Sequence, residues 1–320
     1  MEIVYGAKNF SLMQDKSALA IALGNFDGLH LAHKRIIDRV IEIAAAKGLK
    51  SAVFLLNPHP VQVLFPGSNL LLLSTIMERA KALESLGIDY LIMEDFNAQF
   101  SELTPLSFVR DYLAGYLNAA SVVVGYNYSF GSKGSGTPHE LLRWGEEFCY
   151  DVEVMPPVMI SGEIVSSSLI RELIGKGEVS EASLYLGDYF SRIGRVIHGE
   201  GRGRRLGFPT ANLQFLPELL LPGNGVYLTQ AYIGEQRYFS LTNVGKKPTF
   251  SQRDEIVVEV YLLNFSGDIY NKELTLKFLQ RIRKEKSFAG ADLLVRQIQE
   301  DVEYAKSLIN SMQNTYKGNQ

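Results

Sequence analysis

Two histidines three residues apart, His30 and His33, follow the glycine-bearing turn Gly24-Asn25-Phe26-Asp27-Gly28, which separates an apolar run from an amphipathic one. Free backbone N–H groups at a helix N-terminus attract anions, and residues three apart share a helix face, so this pattern suits a phosphate. The imidazoles would then stabilise charge that develops on a phosphoryl group in transfer. Standing alone, an H-x-x-H is more often a pair of partly exposed histidines capping a turn. A second candidate is the glycine-rich basic segment that runs from Gly199 to Asn212 and ends in Gly207-Phe208-Pro209-Thr210-Ala211-Asn212. It lacks the G-K-[ST] ending of a Walker A loop, and such a loop is more often a solvated hairpin than a phosphate cradle. Alternate residues of an extended segment share a face, however, so Thr210 and Asn212 offer a hydroxyl and an amide oxygen together. Mg2+ accepts so sparse a protein ligand set, because waters and phosphates supply the rest. The third candidate is Glu259, the lone carboxylate in the run Ile256 to Leu263. It is either a partly buried acid whose raised pKa suits proton acceptance, or an outward-facing glutamate on a half-exposed strand, and the pattern alone does not choose.

The elements that must position these residues are of two textures. In the first half, short apolar runs (Leu19 to Leu23, Ser51 to Leu56, Tyr90 to Met93, Val122 to Val124) alternate with helical stretches near His30 to Ala46 and Met77 to Leu86. This alternation predicts a doubly wound parallel sheet with ligands at the carboxyl ends of its strands. After about Gly187 the chain turns β-rich, at Ser191 to Ile197, Gly225 to Ile233, Tyr238 to Thr242, Ile256 to Asn264 and Leu274 to Leu279, which predicts an antiparallel barrel or sandwich. A closing helix is expected over Ala291 to Met312, from the spacing of Leu293, Leu294, Ile298, Val302, Ala305 and Ile309. The boundary is placed near residue 182, giving domains 1–182 and 183–320.

Composition narrows the function classes. A chain of 320 residues exceeds one ordinary core, and 46% hydrophobic with 21% charged residues is the balance of an ordinary soluble protein. A net charge of -3 gives no broad basic face, so nucleic-acid binding is not expected. Apolar stretches such as Leu70 to Leu73 fall far short of the roughly 18 residues that span a bilayer, and no basic-then-apolar leader is visible, so no membrane partner and a cytoplasmic location are expected. The single cysteine, Cys149, excludes an intramolecular disulfide and is expected to pack in the interior.

Four ordered segments, the turn with its histidines (Gly24 to His33), Asn57-Pro58-His59-Pro60, Gly125 to Gly131, and Ser166 to Arg171, together with the GFPTAN element, resemble the prokaryotic bifunctional riboflavin kinase/FAD synthetase family. The N-terminal module of that family belongs to the H-x-G-H nucleotidyltransferases, and the resemblance runs nearly end to end. It implies an α/β fold: a doubly wound parallel-sheet nucleotidyltransferase domain, then an antiparallel β-barrel riboflavin kinase domain with a closing helix. It implies ATP and Mg2+ as co-substrate and metal, with riboflavin, FMN and FAD as substrates and products. For adenylyl transfer it carries over Gly24, Phe26, Asp27, His30, His33, His59, Ser167 and Arg171 as ATP-binding residues, with His30, His33 and Arg171 acting in catalysis, and Asn57 and Asn127 on the flavin side. The FMN phosphate is already an anionic nucleophile, so that reaction needs alignment and charge neutralisation rather than a base. One departure stands out: Ala32 replaces the family's glycine, and its methyl group either crowds the phosphate or is accommodated by a negative φ.

For the second half, Gly225-Val226-Tyr227, Asn243-Val244-Gly245, Pro248-Thr249-Phe250, Val258 to Tyr261 and Arg283-Lys284-Glu285 have counterparts in the same family, in order. The resemblance implies Thr210 and Asn212 as Mg2+ and ATP ligands, with Gly207, Pro209 and Asn243 beside them. It implies Glu259 as the base for the ribityl 5'-hydroxyl, and Arg283 and Glu285 on the flavin side. Two alternatives stand beside the bifunctional enzyme: a riboflavin kinase whose adenylyltransferase is weakened by Ala32, and a flavin-nucleotide sensor without turnover. Oligomeric state, including a homo-oligomer, the fate of FMN between sites, flavin redox preference and domain orientation are not legible in the sequence.

Overall fold

A computed structural model describes residues 1–13, 17–199, 201, 203, 206–247 and 255–317. The Pro248-Thr249-Phe250 segment and Glu200, Arg202, Arg204 and Arg205 of the glycine-rich loop lie outside these residues. The chain divides into two compact units, Met1–Ser167 and Ser168–Gln320.

The strands of the first unit are β1 (Glu2–Tyr5), β2 (Leu19–Leu23), β3 (Lys50–Asn57), β4 (Tyr90–Asp95), β5 (Ala119–Gly125) and β6 (Asp151–Met155), followed by the hairpin β7 (Met159–Ile160) and β8 (Glu163–Ile164). The first six form one sheet in the order β1-β4-β3-β2-β5-β6, with every adjacent pair parallel. Helices α1 (Ala7–Ser11), α2 (Leu31–Lys47), α3 (Pro60–Leu64), α4 (Ile76–Ser85), α5 (Ala98–Ser101), α6 (Pro105–Ser107) and α7 (Pro138–Phe148), with a π-helical stretch Phe108–Tyr116, fill the crossovers. Successive strand residues point to opposite faces, which gives two cores. Leu19, Ile21 and Leu23 pack with Phe10, Phe108, Leu113 and Trp144 on one face. Ala20 and Ala22 pack with Ile37 and Val40 of α2 and Leu83 of α4 on the other. All five residues of β2 are buried, as in a strand covered on both sides. From β2 the order runs outward to β3 and β4 in one direction and to β5 and β6 in the other, so β2 and β5 flank the switch point where open α/β sheets bind ligands.

The second unit contains the rest of α8 (Ser167–Lys176), α9 (Val179–Leu186), strands β9 (Ser191–Ile197), β10 (Ala211–Gln214), β11 (Gly225–Ile233), β12 (Gln236–Lys247), β13 (Glu255–Leu262) and β14 (Glu273–Arg283), and the C-terminal helix Ala291–Lys317. The strands close into an antiparallel barrel, β10-β13-β12-β11-β14-β9, which decides between barrel and sandwich. Val258, Val260, Leu274, Leu276 and Phe278 are fully buried, and so are Thr229, Ser240 and Thr242, where the Thr229 hydroxyl bonds each of the other two at 2.7 Å. On another face, Ala305 and Ile309 of the C-terminal helix pack against Val226, Leu228, Leu241 and Leu279. Helices α8 and α9 group with this unit: Ser180 Oγ donates to Leu279 O, and Arg281 donates to Lys176 O and Glu178. The expected boundary at 182 therefore falls within α9, while the packing divides at Ser167/Ser168. Cys149 is exposed, against the expectation of a buried thiol, because it takes the left-handed cap position that ends α7.

Candidate functional site

Three of the four N-terminal motifs sit at the carboxyl ends of neighbouring strands: the histidine-bearing turn after β2, Asn57-Pro58-His59-Pro60 after β3, and Tyr126-Asn127 after β5. His30 is the N-cap of α2, and its Nδ1 accepts a hydrogen bond from the His33 N–H at 3.4 Å. The two rings stack, with centroids 3.6 Å apart and an interplanar angle of 15°, and Phe26 meets His33 edge-on at 5.2 Å. His30 is only 4% exposed, more enclosed than the bland alternative expects of a turn cap, and His33 is half-buried. His59 caps α3 and lies near the same turn, its Nε2 3.5 Å from Asn25 Nδ2. Gly24 lets the Phe26 ring approach to 3.2 Å of where a Cβ would stand. Ala32 is the second residue of α2 and does not have a positive φ, so its side chain fits the helical backbone without strain.

Asp27 has a structural occupation. Its carboxylate accepts from the Leu73 and Ser74 amides at 3.0 and 2.9 Å and from Ser74 Oγ at 3.0 Å. Its carbonyl accepts from Ser167 Oγ at 3.0 Å, which ties that one residue of the fourth motif to the same turn. Arg171 lies on α8 and is half-buried. Asn57 and Asn127 are exposed at their strand ends. Sequence reasoning missed Arg79, a buried residue of α4 whose Nη1 donates to Asn25 O at 2.7 Å. The available signal was an arginine adjoining the apolar face that Ala80 and Leu83 define.

In the barrel, register does what sequence spacing could not. Asn212 of β10 lies directly opposite Glu259 of β13, and Glu259 lies directly opposite Asn243 of β12, so the three form one row across adjacent strands. All three are half-buried, between fully buried neighbours such as Val258 and Val260. Glu259 is thus neither fully enclosed nor freely solvated. Thr210 stands just before β10, where Gly203 leaves it room: a Cβ on Gly203 would come within 2.9 Å of Thr210 Oγ1. Likewise a Cβ on Gly199 would lie 2.6 Å from Asn212 Cγ, and one on Gly245 would lie 3.2 Å from Glu285 Cδ and 3.4 Å from Asn243 Nδ2. Gly207 has φ +87°, which glycine adopts freely, in the turn before Pro209. The Phe208 ring meets Tyr261, two residues beyond Glu259, edge-on at 5.5 Å.

Glu285 accepts from Asn224 Nδ2 at 3.0 Å. Arg283 is engaged by Asp301 of the C-terminal helix, from Nε at 2.9 and 3.0 Å and from Nη2 at 2.8 Å, and Asp301 is 4% exposed. The hydroxyl of Thr210 and the amide oxygen of Asn212, each beside a glycine of the same loop, are hard oxygen donors of the kind Mg2+ prefers, so their chemistry fits that ion.

Known proteins carry the same two parts in the same order. The FAD synthetase family model matches residues 12–169, and the riboflavin kinase model matches residues 186–309. A bifunctional riboflavin kinase/FMN adenylyltransferase of Listeria monocytogenes is 34% identical over 298 residues, covering 92% of this chain and 93% of its own length. The protein of that name from Bacillus subtilis is also 34% identical, over 301 residues, with 92% and 93% covered. A crystal structure from Streptococcus pneumoniae, described as a macrolide-efflux protein, superposes with TM-score 0.87 at 32% identity, covering 96% of this chain and 99% of that one. Among the described residues no helix here is long and apolar enough to cross a membrane. With both modules in sequence, and relatives matched along nearly their whole length, the chain belongs to the bifunctional riboflavin kinase/FMN adenylyltransferase family.

Proposed function

We propose that the barrel phosphorylates riboflavin to FMN with ATP, and that the parallel-sheet unit joins FMN to the adenylyl group of a second ATP, giving FAD and pyrophosphate. The observation that carries this reading is the row Asn212–Glu259–Asn243, which sets one carboxylate between two amides on the barrel wall beside the GFPTAN element. In the first reaction Glu259 accepts the proton of the ribityl 5'-hydroxyl as its oxygen attacks the γ-phosphorus, and ADP departs. Thr210 and Asn212 would hold Mg2+, which would supply charge neutralisation on the phosphates. Gly207, Pro209 and Asn243 shape the nucleotide side, and Glu285 borders the flavin. Arg283, held by Asp301, fixes the segment that carries Glu285.

In the second reaction an FMN phosphate oxygen attacks the α-phosphorus of ATP and pyrophosphate leaves, so no base is needed. His30 and His33 stabilise the transferring group from the start of α2, aided by its amides. Gly24 and Phe26 shape the turn, and His59, Ser167 and Arg171 complete the nucleotide contacts that the family resemblance gives them. Asn57 and Asn127 stand on the flavin side. The division of chemistry near residue 182 belongs to this proposal, because the residues assigned to adenylyl transfer precede it and those assigned to the kinase follow it. Cytoplasmic action on free small molecules, without nucleic-acid or membrane partners, is part of the same reading.

The test is a time course of purified protein with riboflavin, ATP and Mg2+, resolved chromatographically into riboflavin, FMN and FAD. Riboflavin should pass through FMN to FAD. FMN accumulating without FAD would reduce the assignment to a kinase, and flavin binding without product would reduce it to a sensor.

A further inference from the structure

A carboxylate inside a phosphate-binding turn is an electrostatic liability, since it repels the anion that the turn's amides attract. Asp27 is such a group, 2% exposed within the turn that precedes α2. Two features answer that liability. Its oxygens are turned toward the 73–74 segment, where they take two backbone amides and the Ser74 hydroxyl. A guanidinium is also buried nearby: Arg79 is 3% exposed, donates to Asn25 O at 2.7 Å, and lies within electrostatic reach of the Asp27 and Glu78 carboxylates. Burial pulls Arg79 below the usual arginine range, and those two carboxylates oppose the shift.

The same segment holds the turn at further points. The Gly28 amide donates to Ser74 Oγ at 3.0 Å, and Gly28 has φ +83° with its Cα pressed toward Leu73, where a Cβ would meet a carbon at 2.8 Å. Asn25, whose carbonyl Arg79 holds, carries the amide that approaches His59 Nε2. The 73–79 segment was assigned no part in the chemistry, yet it grips both ends of the turn that ends in His30.

We propose that Arg79 and Asp27 are positioning residues for adenylyl transfer: they fix the Asn25–Gly28 turn, and through Asn25 the His59 imidazole. The inference rests on the assignment of adenylyl transfer to this unit. It moves Asp27 from the nucleotide's contacts to the frame behind them.

The test uses the full chain with Arg79→Leu, Arg79→Lys and Ser74→Ala, and three measurements: FMN to FAD kinetics, riboflavin to FMN kinetics, and NMR titration of the histidine rings, with exposed His139 and His198 as references. Arg79→Leu should lower kcat for FAD formation by about 30-fold or more, with KM for ATP changed less than about 3-fold, because the loss falls on reacting geometry. Riboflavin phosphorylation should stay within about 2-fold, and Arg79→Lys, which keeps the charge, should recover most of the loss. The His59 titration should move in Arg79→Leu while His139 and His198 hold still. Full FAD formation in Arg79→Leu, or an unmoved His59, would overturn the proposal. If Arg79→Leu does not fold, so that both activities fall together, Arg79→Lys and Ser74→Ala decide: Ser74→Ala should slow FAD formation alone by about 3- to 10-fold, and no change there overturns the idea. Wild-type protein that makes no FAD would refute the assigned activity instead, and the His59 titration would still judge the clamp.

Discussion

Replacing Gly199 by alanine offers a sharp test of the barrel site, because the backbone permits it and the side chain of Asn212 does not. Gly199 does not have a positive φ, so alanine brings no backbone strain. Its methyl carbon would stand 2.6 Å from Asn212 Cγ, with Nδ2 nearer still, whereas ordinary contact begins near 3.4 Å. The Asn212 amide must therefore retreat by about 0.8 Å or more, which it can do by rotation at an off-rotamer cost of about 0.5–1.5 kcal/mol. The fold should survive, with a melting shift of a few degrees at most. Catalysis should not, since a misplacement of about 1 Å costs about 10²-fold. The assay is kcat and KM for MgATP in riboflavin phosphorylation, with FMN to FAD conversion in the same preparation as the internal control. Kinase activity within about threefold of wild type, in a variant of unchanged stability, would refute the placement of Asn212 at the reacting phosphate.

Glu259→Gln should lower riboflavin phosphorylation by about 10²- to 10⁴-fold, the range for a lost general base, and leave FMN to FAD conversion intact; His30→Ala should do the reverse, and a chromatographic time course reads both. Arg283→Met strands the Asp301 carboxylate, which is 4% exposed, and should destabilise the barrel by about 3–5 kcal/mol in denaturant unfolding monitored by far-UV circular dichroism; a loss below about 1 kcal/mol would show the ion pair to be solvent-screened. Chelation of divalent ions with EDTA should stop riboflavin phosphorylation, and added Mg2+ should restore it.

Much of the frame was legible because its signals are local. β2 reads as five consecutive apolar residues, and Ser191–Ile197 and Gly225–Ile233 were bounded correctly from alternation and turns. β1 and β6 were missed, since Glu-Ile-Val-Tyr is short and Asp-Val-Glu-Val-Met carries two charges. Registers were out of reach in principle: that Glu259 falls opposite both Asn212 and Asn243 depends on strand pairing, and a shift of one residue would turn it to the other face. Long-range partners were equally hidden. Neither the pairing of Arg283 with Asp301 nor the hold of Arg79 on Asn25, 54 residues away, has any signature in spacing. The stacking of His30 on His33 was half legible, since three-residue spacing sets the face but the cap geometry sets the ring contact.

The row across β10, β13 and β12 also fixes where this barrel can change length. Each of its three members comes from a different strand and meets its neighbour through backbone pairing, so the site does not depend on any single loop having a fixed number of residues. Residues added at the tight turn between Ile233 and Gln236, where Gly234 takes φ +58°, would leave the row untouched. One residue inserted within β13 ahead of Glu259 would invert the strand's inward and outward faces, burying the carboxylate and exposing Val258 or Val260. Lineages of this barrel should therefore lengthen and shorten at the hairpin tips while their paired strands keep an invariant residue count.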